Sequence, residues 1–387
     1  MSQRPLFLDM ASTTPVASAA IEAMLRHLGA ESCYFNPAST SHAAGQAAAA
    51  DVERYRAAIA EVLGCDADEV VFTSGATEAN NLALRGIAQA HAQHGRHLVT
   101  SQIEHKSVLA TCQALEQAGF DVTYLQPDAS GRISAASVKA ALRPDTLLVS
   151  LHHTNNETGV MQPLAEIADL LADAGVLLHV DAAQAAGKLP LDLNQLPIDL
   201  LSLSAHKFHG PKGMGCLVIR NRRHLRLQPL LTGGGQEFGL RPGTLPTHQI
   251  AAMAVSLQLA HQQQAQHLAH VTRLKQQFVS ELAQQVAITL HADQAHTSPY
   301  IVNFAIAGIR SDALLNQLAT EVALSSGSAC ASGTIEPSYV LRAMGIEGPG
   351  LYGAVRASFS RDHTVADISL AVERIVAAVR RMQELNA

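Results

Sequence analysis

The sequence predicts an α/β fold in which a mainly parallel sheet of about seven strands forms a large domain and a smaller α/β domain follows. Short β-rich runs alternate with helical patterns between residues 70 and 221. Several runs are apolar almost throughout, as at residues 176–180, which is typical of strands buried on both faces of a parallel sheet. With 387 residues, 48% of them hydrophobic and 16% charged, the chain can bury a large core.

The strands of the large sheet are predicted one by one from these runs. They are Val70–Ser74, His97–Ile103, Asp121–Gln126, Thr146–His152, Val176–Ala182, Asp199–Ala205 and Gly215–Asn221. Helical patterns between them cover Glu78–Ala92, Ser107–Ala118 and Leu164–Ala174. Ligands of such sheets bind outside the carboxyl ends of the strands, so we expect the functional residues there.

The carboxyl-terminal part predicts the smaller domain. Residues 247–298 contain no Gly or Pro, and Ile250–Val286 predicts one helix of roughly 55 Å that leaves the sheet domain. After it come a strand (Ile301–Ile306), a Gly/Ser-rich stretch (Ser325–Gly333), a strand (Val355–Ser358) and a helix (Val365–Leu385), which the pair Thr364 and Asp367 is expected to cap. We expect a large domain at 14–260, and a small domain from 1–13 and 261–387 that carries a mobile loop at about 325–335.

Composition excludes several classes of protein. The 27 Lys and Arg residues do not outnumber the 33 Asp and Glu residues, and the net charge of −6 argues against direct nucleic-acid or membrane binding. No apolar run reaches membrane-spanning length, and no signal peptide is visible at the amino terminus. The five cysteines are widely spaced and form no CxxC pair, so we expect free thiols and a cytoplasmic location.

The stretch from Val71 to Asn80 predicts a phosphate-binding turn. A strand ends there in Ser74-Gly75 and a helix begins at once with Ala76-Thr77. Free backbone N–H groups and the positive end of the helix dipole bind anions at such a place. An ordinary strand-to-helix turn remains the alternative when this motif is taken alone.

Two further strand ends carry charged side chains. Asp181 ends an apolar strand, where its carboxylate needs a cationic or hydrogen-bonding partner, and a structural cap on the following helix is the alternative. Lys207 follows another strand, and we expect it to be desolvated and therefore nucleophilic. The other lysines are assigned to solvated helix positions (Lys139, Lys275), a position one turn into a helix (Lys106) and turns flanked by Pro or Gly (Lys188, Lys212).

A phosphate cradle, a strand-end carboxylate and a strand-end lysine together are what pyridoxal 5'-phosphate requires. The lysine would hold the cofactor covalently, and the acid would keep the pyridine nitrogen protonated. His105, where a strand changes to a helix, could stack on the ring or move protons.

The sequence resembles the pyridoxal-phosphate-dependent cysteine desulfurases of the class V aminotransferase group almost from end to end. The most specific stretches are residues 74–78, 104–106, 155–159, 179–184, 204–207, 241–244 and 325–330. This resemblance implies a fold-type-I pyridoxal-phosphate transferase that forms a homodimer. It also implies conversion of L-cysteine to L-alanine, with the sulfur passed as a persulfide to a protein acceptor of unknown identity. Iron–sulfur cluster assembly and thiolation of tRNA or DNA are the possible destinations.

The resemblance also assigns roles to residues. The catalytic residues would be Lys207 (cofactor attachment and proton transfer), Cys330 (persulfide) and His105 (ring stacking). The other cofactor contacts would be Ala76, Thr77, Ser204 and His206, the last three at the phosphate, Asp181 at the ring nitrogen, Gln184 at the ring hydroxyl, Asn156 beside the ring, and Thr244 of the partner subunit at the phosphate. Arg356 would clamp the substrate carboxylate, supported by Asn36 and Asn156.

Cys330 separates a desulfurase from an aminotransferase. A free cysteine is usually a small buried apolar residue, which suits Cys65, Cys112 and Cys216. Cys330 lies instead among small Ser, Gly and Ala residues that offer little apolar packing, and a sulfur carrier needs access and motion.

A few positions depart from the family's pattern. Phe238 and Pro242 stand where Arg and Ser are usual, Thr40 replaces a basic residue, and the carboxyl terminus is short. We therefore expect an altered dimer seam and altered recognition of the acceptor rather than altered chemistry.

Three alternatives stay open at this point. A selenocysteine lyase or another β-lyase would share the fold. A metal-dependent enzyme could use some of the 19 histidines, but the local pairs His91/His94, His152/His153 and His267/His270 have no evident carboxylate partner, and we expect exposed helix faces to explain most of them. A catalytically silent sulfur-relay or scaffold protein would not need Lys207, Asp181 and Cys330.

Overall fold

The computed structural model describes residues 4–326 and 337–386. The elements up to residue 219 are β1 (Leu6–Phe7), α1 (Ser18–Leu25), α2 (Ala43–Leu63), β2 (Val70–Thr73), α3 (Ala76–Ala90), β3 (His97–Ser101), α4 (Lys106–Gln117), β4 (Asp121–Leu125), α5 (Ala135–Ala141), β5 (Thr146–His152), α6 (Leu164–Ala174), β6 (Leu177–Asp181), β7 (Leu200–Ser204) and β8 (Gly215–Ile219). They are followed by α7 (Thr247–Gln262), α8 (Gln264–Gln285), β9 (Ile288–Leu290), β10 (Ile301–Ile306), α9 (Ser311–Leu318), β11 (Val322–Ala323), α10 (Tyr339–Ala343), α11 (Gly348–Tyr352), β12 (Ala354–Ser358) and α12 (Val365–Asn386).

The large sheet has seven strands in the order β2-β8-β7-β6-β5-β3-β4. Its pairs are parallel except where β8 runs antiparallel to β2 and β7. Every predicted strand of this sheet is present, although most are one or two residues shorter than predicted. The α/β class and the mainly parallel sheet are thus confirmed.

Apolar clusters cover both faces of the large sheet. On one face, α2, α6 and α7 contribute side chains such as Ile59, Ile167 and Met253. On the other face, α3 and α4 contribute side chains such as Ile87 and Val108. At the carboxyl edge, the ends of the strands line a cleft together with residues near the amino terminus and from the small sheet.

A second apolar cluster surrounds a three-stranded antiparallel sheet in the order β12-β10-β9. Phe278 of α8 meets Phe304 and Phe359 edge-on, with ring centroids 5.7 and 5.5 Å apart. Leu8, close to the amino terminus, is buried in the same cluster. This packing supports our division of the chain near residues 13 and 260, which stays a proposal.

The prediction of a single long helix over Ile250–Val286 is wrong, because the structure has two helices there. It breaks at Gln263 (φ −106°, ψ 8°), which separates α7 from α8. Side chains of α7 pack into the cluster of the large sheet, whereas those of α8 pack into the second cluster. The break lets the side chains of each half pack against a different core.

The last helix agrees with its prediction. The Asp367 carboxylate accepts hydrogen bonds from the backbone N–H of Thr364 (2.7 Å) and from its hydroxyl (2.8 Å), so the expected capping pair is present. Within residues 4–326 and 337–386, no helix combines the length and the apolar character needed to cross a bilayer.

Candidate active site

A cleft of about 820 Å³ lies at the carboxyl edge of the large sheet. The predicted site residues that line it are Ala76, Thr77, His105, Asn156, Asp181, Gln184, Ser204, His206, Lys207 and Arg356. Most of them come from the ends of β5, β6 and β7 or the starts of α3 and α4, while Arg356 comes from β12 of the small sheet. The structure therefore brings ten of the predicted site residues to one cleft, while their roles stay predictions.

The start of α3 forms one wall of the cleft. Gly75 has φ +151°, a region that side-chain-bearing residues rarely adopt, and α3 begins directly after it at Ala76. A Cβ added to Gly75 would lie only 3.4 Å from the Ser204 hydroxyl, so the two motifs face each other closely. The first N–H groups of a helix have no partner within the helix, and here they open toward an anion-sized space.

Asp181 is 6% exposed and both of its carboxylate oxygens are bonded. The backbone N–H of Ala183 donates to Oδ1 at 2.9 Å, and Nδ2 of Asn80 donates to Oδ2 at 2.8 Å. The local bond from Ala183 is of the kind expected for the alternative, a structural cap, but residues 183–188 form turns rather than the helix that this alternative assumed. The carboxylate still lines the cleft, where a cationic ring nitrogen could meet it.

Lys207 is half-buried in the cleft, and its Nζ donates to the carbonyl oxygens of Ala11 and Ser12, each at 2.7 Å. Burial, assisted by the positive charge of Arg356, lowers the pKa of Lys207 from its ordinary value to about 8. An amine with this pKa is neutral in a substantial fraction of molecules near neutral pH, as covalent chemistry on a carbonyl group requires.

Lys188 and Lys275 are buried, and the prediction of a solvated Lys275 is wrong. Nζ of Lys275 donates to Thr297 Oγ1 (2.8 Å) and to the Ser298 carbonyl (3.0 Å), and burial lowers its pKa to about 8. The signal was present in α8, because Lys275 occupies the same stripe as the buried residues Val271, Leu274, Phe278 and Leu282.

Lys188 contacts Gln184, one of the residues that line the cleft. Its Nζ donates to Gln184 Oε1 at 3.1 Å, which leaves the Gln184 amide nitrogen to donate to the Ala11 carbonyl at 2.8 Å. Burial, with the nearby charges of Lys207 and Arg356, lowers the pKa of Lys188 to about 7. Lys188 therefore fixes the orientation of the Gln184 amide, a role that its turn-like sequence context did not indicate.

Two histidines of the cleft are held neutral. The backbone N–H of Ser107 donates to Nδ1 of His105 at 3.1 Å, and burial lowers the pKa of His105. Burial and the charges of Lys207, Lys212 and Lys188 lower the pKa of His206 to about 4. Both rings therefore offer neutral faces and edges at neutral pH.

Arg356 is 5% exposed and positioned by two groups. Nη1 donates to the Asn156 carbonyl at 2.7 Å and Nη2 donates to Asp9 Oδ1 at 2.6 Å, while Nε is buried with no hydrogen-bond partner. An unpartnered, buried donor in a cleft wall fits a carboxylate ligand, because leaving it unpaired is costly.

Asn36 and Thr244 do not line this cleft. They line a separate one of about 440 Å³ together with Phe238. The single chain thus does not bring Asn36 to Arg356. Cys330 and most of its loop lie outside the described residues, while Ser325 and Ser326, which precede them, line the first cleft.

The positions that depart from the family's pattern make contacts within the chain, although Phe238 and Thr40 are exposed. Phe238, at φ +58°, lies 3.7 Å beneath the Arg222 guanidinium and 5.3 Å from that of Arg56. A Cβ added to Gly233 would lie 2.7 Å from Pro242 Cβ, and the Thr40 carbonyl accepts a hydrogen bond from Gln46.

The histidine pairs form no metal site among the described residues. His152 is buried rather than exposed, and its Nδ1 lies 2.9 Å from Glu104 Oε1, so the expectation of exposed faces and of no carboxylate neighbour is wrong for this pair. The one described group that could hold an ion is His27, Cys33 and Asp51. These residues are already engaged, His27 with the Cys33 carbonyl (3.2 Å) and Asp51 with Arg54 (2.6 Å).

Comparison with known proteins gives concordant results. The family described as aminotransferase class-V matches residues 6–370. The cysteine desulfurase IscS of Vibrio vulnificus is 42% identical over 99% of this chain and 94% of its own length. A solved NifS-like protein superposes with a TM-score of 0.91 at 31% identity, covering 98% of this chain and all of the other. A solved complex of SspA with cysteine reaches a TM-score of 0.82 at 36% identity, over 92% of this chain and 99% of SspA.

Proposed function

We infer that this chain, which belongs to the class-V aminotransferase family, is a cysteine desulfurase that takes sulfur from L-cysteine, releases L-alanine and passes the sulfur to an acceptor. The observation that carries this proposal is a single cleft in which Lys207, Asp181 and the amino terminus of α3 face the same space. A relative named cysteine desulfurase that matches nearly the whole chain supports it.

The cleft fits pyridoxal 5'-phosphate by the chemistry of its donors. The unpaired N–H groups at the start of α3, with Thr77, Ser204 and neutral His206, suit the phosphate, and Asp181 suits a protonated pyridine nitrogen. Gln184 would meet the ring hydroxyl, and His105 and Asn156 would lie against the ring. When bound, the cofactor supplies an electron sink that stabilises negative charge at the substrate Cα.

The chain's own residues would orient the substrate and move its proton. The unpartnered Nε of Arg356 would receive the carboxylate of L-cysteine, with Asp9 and the Asn156 carbonyl holding the guanidinium plane. Nζ of Lys207 would hold the cofactor and then, as a neutral amine, take the Cα proton. Its pKa of about 8 leaves this amine ready to accept a proton near neutral pH.

Cys330 would carry the sulfur away, and this role stays a prediction because Cys330 lies outside the described residues. Its thiolate would attack the sulfur of L-cysteine, so that an S–S bond forms while the substrate C–S bond breaks. The substrate carbon keeps the electron pair and takes up a proton to become L-alanine, and the sulfur remains as a persulfide.

A homodimer would complete the site. Asn36 and Thr244 lie on the surface, away from the cleft that holds the other predicted contacts. Large apolar side chains are exposed on α1 and in the chain segments that lead to Asn36 and Thr244, namely Ile21, Leu25, Leu28, Tyr34, Leu231 and Phe238. We propose that this surface meets a second copy, so that Asn36 and Thr244 serve the partner's cleft.

The acceptor and the location of the chain stay predictions. With a net charge of −6, the chain offers no basic surplus for a nucleic acid, so the sulfur would leave through a protein acceptor. The cytoplasmic location is likewise a proposal from the free thiols.

The experiment that tests the cofactor site combines reduction with mass spectrometry. Borohydride treatment of the purified protein should fix the cofactor mass on the peptide that contains Lys207. The Lys207→Ala variant should lose this label, whereas Lys139→Ala, at an exposed position of α5, should keep it. A cofactor mass on another lysine, or none at all, would overturn the proposed site.

A further inference from the structure

Asn80 lies on the sheet-facing side of α3 and has no role in the predicted site. Its side chain is fully buried. Nδ2 donates to Asp181 Oδ2 at 2.8 Å and to Ser107 Oγ at 2.9 Å, while Oδ1 has no partner. The sequence carried a signal for it, because a polar side chain at position 80 shares a helical stripe with the buried residues Ala83, Leu84 and Ile87.

The orientation of the Asn80 amide is forced by its two acceptors. Turning the amide over would place its carbonyl oxygen against a carboxylate oxygen at 2.8 Å, with no hydrogen between them. The two amide protons are therefore donated to Asp181 and Ser107. The buried Oδ1 of Asn80 is left without a hydrogen bond, and this cost accompanies the two bonds that Nδ2 makes.

The direction of the hydrogen bond between Ser107 and His105 follows from the bond that Asn80 donates to Ser107. Because the Ser107 hydroxyl oxygen already accepts from Asn80, its own hydrogen is free to point to Nδ1 of His105, 2.8 Å away. The backbone N–H of Ser107 also points at this atom and can only donate. Nδ1 of His105 therefore carries no proton, and the proton of the neutral ring is on Nε2.

We propose that Asn80 is a positioning residue that aims the Asp181 carboxylate and, through the Ser107 hydroxyl, reinforces the tautomer of His105 that the Ser107 backbone N–H already selects. Asp181 receives its only described side-chain hydrogen bond from Asn80, which aims Oδ2, while the Ala183 N–H holds Oδ1. The two residues expected against the ring nitrogen and the ring face are thereby held by one network. This inference rests on the proposed function of the cleft.

The test uses two substitutions at Asn80 and one at its neighbour. Asn80→Ala removes both bonds, and Asn80→Asp keeps the shape but sets a second carboxyl group against Asp181. Asn81→Ala is the matched control, because Nδ2 of Asn81 donates to the Thr77 carbonyl and does not touch Asp181. The dissociation constant for pyridoxal phosphate is measured by equilibrium dialysis, together with the absorbance spectrum of the loaded protein.

We expect Asn80→Ala to weaken cofactor binding roughly 10- to 100-fold, the usual worth of a hydrogen bond to a charged group. Asn80→Asp should bind no better than Asn80→Ala and should change the absorbance spectrum, whereas Asn81→Ala should match the natural chain. If Asn80 served packing alone, the isosteric Asp would replace it fully. Asn80→Asp would then match the natural chain in cofactor binding and in absorbance spectrum, and this result would overturn the proposal. Equal binding by Asn80→Ala and Asn81→Ala would also overturn it.

The protonation of the His105 ring nitrogens can be measured by NMR in the absence of the cofactor. This measurement also does not require that an Asn80 variant folds. In protein labelled with ¹⁵N-histidine, Nδ1 of His105 should give the signal of an unprotonated nitrogen, and Ser107→Ala should shift that signal. A protonated Nδ1, or a signal unchanged in Ser107→Ala, would overturn the network. If the natural chain takes up no pyridoxal phosphate, the proposed function fails, while these signals still decide the arrangement around Asn80.

Discussion

Replacing Glu237 with Ala should destabilise the protein strongly, because Glu237 pairs with Arg56 in the interior. The side chains of Arg56 and Glu237 are 3% and 1% exposed. Nη1 and Nη2 of Arg56 donate to the two carboxylate oxygens at 2.9 and 2.7 Å, and the Phe72 N–H donates to Oε2 at 2.6 Å. This arrangement attaches the segment that leads to Thr244 to strand β2, directly before the phosphate-binding turn.

The expected loss is roughly 3 to 5 kcal/mol, which is typical when one partner of a buried ion pair is removed and the other stays uncompensated. Glu237 has φ +49°, but Ala also carries a Cβ, so the substitution leaves the backbone strain unchanged. The free energy of unfolding is measured by urea titration of the loaded protein. Glu53→Gln is the control, because Glu53 contacts the same Arg56 at 3.2 Å but is 62% exposed, and it should cost less than about 1 kcal/mol. A loss below 1 kcal/mol for Glu237→Ala would refute the reasoning.

Three further predictions concern the buried cations. Lys275→Met should weaken the dependence of the free energy of unfolding on pH. Folded Lys275 has a pKa of about 8, so between pH 8 and about 10.5 it has lost a proton that the unfolded chain still holds. Because the unfolded chain binds more protons in this range, Lys275 makes the natural chain more stable as the pH rises. Urea titrations at pH 7 and 10 should show this rise to be smaller in the variant by up to about 3 kcal/mol, and parallel curves would contradict it. Lys188→Met should leave Gln184 Oε1 without its donor and weaken cofactor binding about fivefold in dialysis, from a hydrogen bond worth about 1 kcal/mol. Arg356→Lys should raise KM for L-cysteine roughly 10- to 100-fold while cofactor binding stays unchanged, and an unchanged KM would remove Arg356 from the carboxylate site.

The large sheet and its functional edge could be predicted because each rests on a local pattern. Apolar runs such as residues 176–180 are visible without knowing the fold, and parallel strands bring their carboxyl ends to one edge. Asp181 and Lys207 therefore met in one cleft as expected. Arg356 reaches the same cleft from the small sheet, and only the family resemblance indicated it.

The parts that could not be predicted depend on which neighbour a side chain meets. The break at Gln263 arises because α7 and α8 pack against different cores, and no Gly or Pro marks it. The burial of Lys188 is set by its contact with Gln184, which a Pro/Gly-flanked turn does not show. Asn80 and Lys275 stand on apolar stripes, so a closer examination of helical periodicity would have found both.

The central claim is that this chain releases sulfur from L-cysteine through a cofactor held at Lys207 and a thiol at Cys330. The most direct measurement is the amount of L-alanine and sulfide formed from L-cysteine by equally loaded natural chain, Cys330→Ala and the control Cys33→Ala. We predict equal amounts of alanine and sulfur from the natural chain and from Cys33→Ala in the presence of a thiol reductant, and neither product from Cys330→Ala. Undiminished alanine and sulfide from loaded Cys330→Ala, or no alanine from the loaded natural chain, would contradict the account.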